Sequence, residues 1–159
     1  MTFPPKADPA IYASMRRNAL EMPIAGRSGE GVLLVLMDWF VGNGTASVLA
    51  AADGTASVYL SSGGGFIGGG QRFPQIAEAA RRAVKLAGAA LPLSVKTETF
   101  DLPDRGSVHF YLRTSGAIYR AVAKEESLKD GTDPLTKLGG MMQAIVTGYR
   151  LSQQGSAPK

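Results

Sequence analysis

The stretch VLLVLMDWFV, residues 32–41, most constrains what this chain can fold into. Read as a strand, it puts Leu34, Leu36 and Phe40 on one side and Val35, Met37, Trp39 and Val41 on the other, because successive side chains of a strand point to opposite faces. Both sides are apolar, so neither suits water. Such a strand belongs in the middle of a sheet covered on both faces, by helices or on one side by a second chain. One charge breaks the pattern, since Asp38 shares its side with Leu34, Leu36 and Phe40. A carboxylate there must find a cation, hydrogen bonds or a raised pKa. Near the strand end, it is expected to bond an arginine or a backbone N–H of the adjoining turn. The alternative is a functional carboxylate at Asp38.

Turn chemistry supplies the neighbours of this strand. Asn43-Gly44 and Asp53-Gly54 separate it from TASVLAAA and ASVYLSS, and both dipeptides favour tight hairpins because they tolerate positive φ. Two-residue turns at these sites set Trp39 opposite Val48, Asp38 opposite Leu49 and Leu49 opposite Val58. A second block reads LSVKTETFD, SVHFYLRT and AIYRAVAKE. Its Ser115-Gly116 turn sets Phe110 opposite Ala121, Tyr111 opposite Arg120 and Leu112 opposite Tyr119. One side of this block is apolar (Val108, Phe110, Leu112, Tyr119). The other carries His109, Tyr111, Arg113, Arg120 and Lys124 and is expected to meet solvent.

Three helices frame the strands. Asp8-Pro9 opens the first, with Ile11, Met15 and Leu20 as its apolar stripe. Pro74 opens PQIAEAARRAVKLAGAAL, whose buried side is Ile76, Ala80, Ala83, Ala87 and Leu91. Asp133-Pro134 opens the last, where Leu135, Leu138, Met142, Ile145 and Tyr149 recur at helical spacing. The expected order is α-βββ-α-βββ-α. That is an α+β (α/β) fold with an antiparallel sheet of about six strands in two meanders and helices packed on it. With 159 residues it reads as a single domain, 8–152 forming the core and 1–7 and 153–159 frayed tails.

Composition excludes several functions. The net charge of +4 is scattered over Arg16, Arg17, Arg81, Arg82, Lys85, Arg113 and Arg120 instead of gathered on one face, so no nucleic-acid partner is expected. The absence of cysteine removes disulfides and thiolate metal sites. The longest apolar run, Val32–Met37, is too short to cross a bilayer, and the first residues lack an apolar signal core. No membrane partner and a cytoplasmic location are the expectation.

The element order just described, over roughly residues 8–152, resembles that of the roadblock, longin and profilin-like group, although no diagnostic motif accompanies it. That resemblance implies a noncatalytic adaptor that dimerises through a helix or an edge strand. The order is similar also to chaperones of type III secretion effectors, which are usually acidic, unlike this chain.

Residues 63–70 hold six glycines and contain Gly63-x-Gly65-x-x-Gly68, after a strand and before a helix. In a dinucleotide fingerprint the helix begins within the glycines, so that free N–H groups meet the pyrophosphate. Here Gln71, Arg72 and Phe73 intervene, and Pro74 supplies no N–H. The loop therefore reads as a connection, with small-molecule or nucleotide binding as the alternative. Phe66 and Ile67, apolar residues at its tip, are expected to contact a partner. Gly140, Ala144 and Gly148 recur every fourth residue and suit close helix packing or a dimer contact. His109 is the only histidine and no G-x-S-x-G elbow is present, so neither a metal cluster nor a catalytic residue is expected. The resulting expectation is a small adaptor or scaffold without cofactor, more an assembler than an enzyme, that forms a homodimer and binds another protein.

Overall fold

The computed structural model describes residues 9–21, 31–41, 44–63, 65–66 and 73–155. Helix α1 (Pro9–Glu21) precedes β1 (Leu34–Val41), β2 (Gly44–Ala51), β3 (Ala56–Leu60) and β4 (Gly65–Phe66). Helix α2 (Pro74–Ala90) runs into a 3₁₀ turn, Leu91–Leu93, and then β5 (Val95–Lys96), β6 (Ser107–Arg113) and β7 (Ile118–Lys124) follow. Helices α3 (Glu125–Asp130) and α4 (Thr136–Gly155) complete the order. The strands form one antiparallel sheet ordered β4-β3-β2-β1-β6-β7-β5. The doubly apolar strand β1 is thus the middle of the sheet, which is the position its sequence demands.

One face packs on α2 and α4. Val35, Met37, Val48, Val58, Phe110 and Leu112 meet Ile76, Ala80, Ala83, Met142 and Ile145 there. The alanine side of α2 allows it to lie close to both α4 and the sheet, and Tyr149 ties α4 down by donating its hydroxyl to the carbonyl of Ala56 at 2.6 Å. The other face carries a smaller cluster of Leu20, Leu34, Leu36, Leu49 and Tyr111 beneath α1.

Register shows how much the turns decide. The β6–β7 pairing is the one expected, with Phe110 opposite Ala121 and Tyr111 opposite Arg120. Strands β1 and β2 meet one residue earlier than Asn43-Gly44 implies, pairing Val41 with Gly44, so Trp39 faces Ala46 and Asp38 faces Ser47 instead of Val48 and Leu49. The β2–β3 hairpin has a three-residue loop: Ala51 accepts from Gly54 and donates to Thr55, with Gly54 at φ +94°. That left-handed glycine adds the third loop residue, and Leu49 consequently faces Ser57, not Val58.

The second block departs further from expectation. Of LSVKTETFD only Val95–Lys96 is strand. The chain then crosses the sheet face, where the carbonyl of Asp101 accepts from Tyr111 Oη and from His109 Nδ1 at 2.9 Å and Phe100 packs edge-on to the Tyr111 ring. The polar side of the block is therefore covered in part: Tyr111 is fully buried and His109, Arg113 and Arg120 half-buried, while Lys124 meets solvent as expected. Helix α3 is also additional, because Glu125 and Glu126 at its first turn and Gly131 in left-handed conformation at its end delimit a short helix after β7.

Candidate functional site

At one end of the sheet α3 and α4 leave an opening over the apolar face. Trp39 near the end of β1 and Val108 near the start of β6 are paired across the strands, and Met37 lies two residues along on the same side. Helix α3 leaves directly from β7, and its Leu128 forms one wall. The turn after it is fixed by Asp133, whose Oδ1 accepts from the amide of Leu135 at 2.8 Å while its carbonyl accepts from Thr136 at 3.0 Å. The Asp133-Pro134 start thus aims α4 back across the sheet. Its first turns bring Gly139 and Gly140 to the opposite wall. Together these residues bound a cleft of about 360 Å³. Glu125 and Lys129, paired at 2.9 Å, stand at its rim.

The cleft is open because of the glycines. A Cβ on Gly139 would touch Leu128 and Phe110 at ordinary contact distance, whereas one on Gly140 would meet nothing within 4 Å. A larger residue at position 140 would stand in the opening. Apolar walls with a few polar groups at the rim, in a volume of this size, are the usual make-up of a small-molecule site.

The buried polar residues lie elsewhere, between α1 and the sheet. Asp38 is fully buried and receives Arg16 Nη2 at 2.6 Å and Nε at 3.3 Å. Ser47 Oγ also donates to Asp38, and the Tyr12 hydroxyl lies 2.6 Å from Ser47 Oγ. Arg16 further lies 5.9 Å from the centre of the Tyr111 ring. Burial works against the charge of Arg16, but the hydrogen bonds and charge of Asp38 outweigh it and raise its pKa above the ordinary arginine value. Burial, helped by the charge of Asp38, pushes the Tyr12 phenol up to about 12. Burial likewise raises Tyr111. The partner of Asp38 is thus an arginine, as expected, but it comes from α1 and not from the adjoining turn, and Asp38 is paired mid-strand. The inward face of α1 is accordingly Tyr12, Arg16 and Leu20, while Ile11 of the expected stripe is 51 % exposed.

No family model, no curated protein and no solved structure matches this chain. Among the described residues no three His, Cys, Asp or Glu side chains gather as a metal site, and no helix is long and apolar enough to cross a membrane.

The other residues singled out in the sequence scatter. Gly63 lies between β3 and β4 and Gly65 opens β4, both with positive φ, whereas Gly68 and Ile67 lie outside the described residues. Phe66 is in β4, paired with Val58, and its side chain lies outside the described set. Helix α2 begins at Pro74 after an extended Phe73, as expected. The Gly140, Ala144 and Gly148 row does not act as one surface. Gly148 is buried against Ile76 of α2, whereas Gly140 and Ala144 are exposed. Sequence reasoning missed the cleft itself. Its signals were the Gly139-Gly140 pair inside a helix and a lone tryptophan at the end of the central strand.

Proposed function

We propose that the chain is a noncatalytic binding domain that seats the apolar part of a small ligand in the cleft between Trp39, Val108 and Leu128. The cleft carries this reading, as a preformed apolar concavity of about 360 Å³. Asp38 is already engaged by Arg16 and Ser47, and His109 by a backbone carbonyl, so neither faces that opening. Trp39 is the only tryptophan, which makes its emission a direct reporter of the cleft. Titration with octanol is expected to change Trp39 emission saturably in the wild type, and Gly140→Leu is expected to abolish the change while the protein stays folded by circular dichroism. A flat wild-type titration defeats the proposal.

A second reading, a self-associating adaptor, is favoured by the β7 edge. Strand β5 pairs only with Tyr119 and Arg120, and among the described residues no strand lies outside Ala121–Lys124. Val122 and Val95 are 54 % and 73 % exposed there. Edges of this kind accept an added strand from a second copy or a protein partner. Light scattering of the titration samples reports the association state.

A further inference from the structure

We infer that the ligand of the cleft is an organic anion, a monocarboxylate with an unbranched apolar chain, whose tail lies in the cleft and whose head sits over Lys129. The inference rests on the reading of the cleft as a ligand seat and adds its charge. It follows from what lies beyond the rim. A second concavity of about 460 Å³ adjoins the first and shares Glu125 and Lys129 with it. Arg105, Lys124, Lys129, Glu125 and Glu126 line it, three cations against two carboxylates. Among the described residues Lys129 is ion-paired with Glu125, while no ion pair engages Arg105 or Lys124.

One of these cations is held in place. Arg105 lies 4.7 Å from the centre of the Phe40 ring, a contact that fixes the guanidinium without cancelling its charge. The Arg105-Gly106 turn is tied to the start of α3, because Gly106 accepts from the amide of Glu125 at 2.9 Å. An anionic head at the rim thus meets Lys129 beside its partner Glu125, and an adjoining concavity whose three cations outnumber its two carboxylates by one. An ammonium head would meet that same excess of positive charge. The tail is constrained independently. Met37, Val108 and Leu128 offer no hydrogen bonds and Trp39 only its indole N–H, with Thr136 and Gln143 the uncharged polar side chains of the lining, so a sugar or nucleotide placed there would lose most of its hydration without replacement. A hydrocarbon chain loses nothing of the kind.

Octanoate, octanol and octylammonium share a tail and differ in the head. At neutral pH and low salt octanoate is expected to saturate the Trp39 emission change at a concentration about tenfold below octanol, the ratio for one charge-assisted contact, with octylammonium weaker than both. Lys129→Glu combined with Arg105→Glu, at exposed positions, is expected to abolish the advantage of octanoate over octanol. If octanol binds as tightly as octanoate, or the double variant leaves octanoate affinity intact, the anion inference fails while the cleft reading stands. If none of the three moves Trp39 emission or the melting temperature, the cleft reading itself fails.

Discussion

The two faces of the sheet are closed by different means. Beneath α2 and α4 the contacts are aliphatic and aromatic apart from the hydrogen bond of Tyr149 to Ala56, and among the described residues no charged side chain is buried there. Beneath α1 a few apolar residues surround a buried ion pair, Arg16 with Asp38, extended through Ser47 to Tyr12. Among the described residues every buried side-chain nitrogen or oxygen has a partner. Apolar packing rewards contact of many shapes, whereas a buried ion pair rewards one position of the helix and penalises all others. The difference teaches that α1 is located by chemistry and α2 and α4 by area. Arg113 supports this by donating to the carbonyl of Ala19 at 3.2 Å, near the other end of α1.

Removing one partner of the pair is the strongest way to break this comparison. Arg16→Met leaves Asp38 buried and uncompensated and is expected to cost about 3–5 kcal/mol, read by urea denaturation. Replacing both, as Arg16→Met with Asp38→Leu, is expected to restore most of that loss, since a well-packed apolar pair is often as stable as a buried ionic one. If the double variant is as unstable as the single one, the ion pair is itself a source of stability and not chiefly a device for placing α1.

A smaller effect comes from the outer end of the same network. Tyr12→Phe removes the hydroxyl that meets Ser47 and is expected to cost about 1–2 kcal/mol. It also changes the response to alkali. Tyr12 is lifted to about 12, chiefly by burial and then by the charge of Asp38, above an unfolded value of about 10. A phenol with a raised folded pKa holds its proton more tightly in the folded state. Its contribution is complete below pH 10 and is lost as the pH rises towards 12. The loss of melting temperature over that window is expected to be shallower in Tyr12→Phe. It persists in part, because burial raises Tyr59 and Tyr111 as well. An unchanged slope would mean that Tyr12 is not the group whose ionisation matters.

What was legible follows the same division. The apolar face could be read from periodicity: apart from Leu91, half-buried in the 3₁₀ turn beyond α2, the residues expected on the buried sides of α2 and α4 are buried, and Ser115-Gly116 set the β6–β7 register without error. The central place of β1 followed from its two apolar sides. The face under α1 was less legible, because Asp38 and Arg16 are 22 positions apart and nothing local links them. Arg16 on a helix and Tyr111 in a strand read as surface residues until the sheet and its covering segment are assembled. The cleft is further still from local pattern, since β1, β6, α3 and α4 each supply part of it.

Two glycines of α4 give the finest test. Gly140 and Gly148 lie in the same helix, and sequence spacing assigns them the same role. A Cβ at Gly148 would come within 2.8 Å of Ile76 Cγ1, so close approach of α2 requires glycine there. A Cβ at Gly140 would meet nothing within 4 Å, so no packing inside the domain requires it. Alanine gains about 1 kcal/mol over glycine within a helix, while crowding a packed core costs about 1–3 kcal/mol. Gly140→Ala is therefore expected to stabilise the protein and Gly148→Ala to destabilise it, and Ile76→Val is expected to relieve the second but leave the first unaffected. Opposite signs from one substitution, eight residues apart, would show that the α2–α4 face is limited by space at one point only. If both variants lose stability, Gly140 is held by a contact that the domain alone does not provide, and the self-associating reading gains at the expense of the ligand cleft.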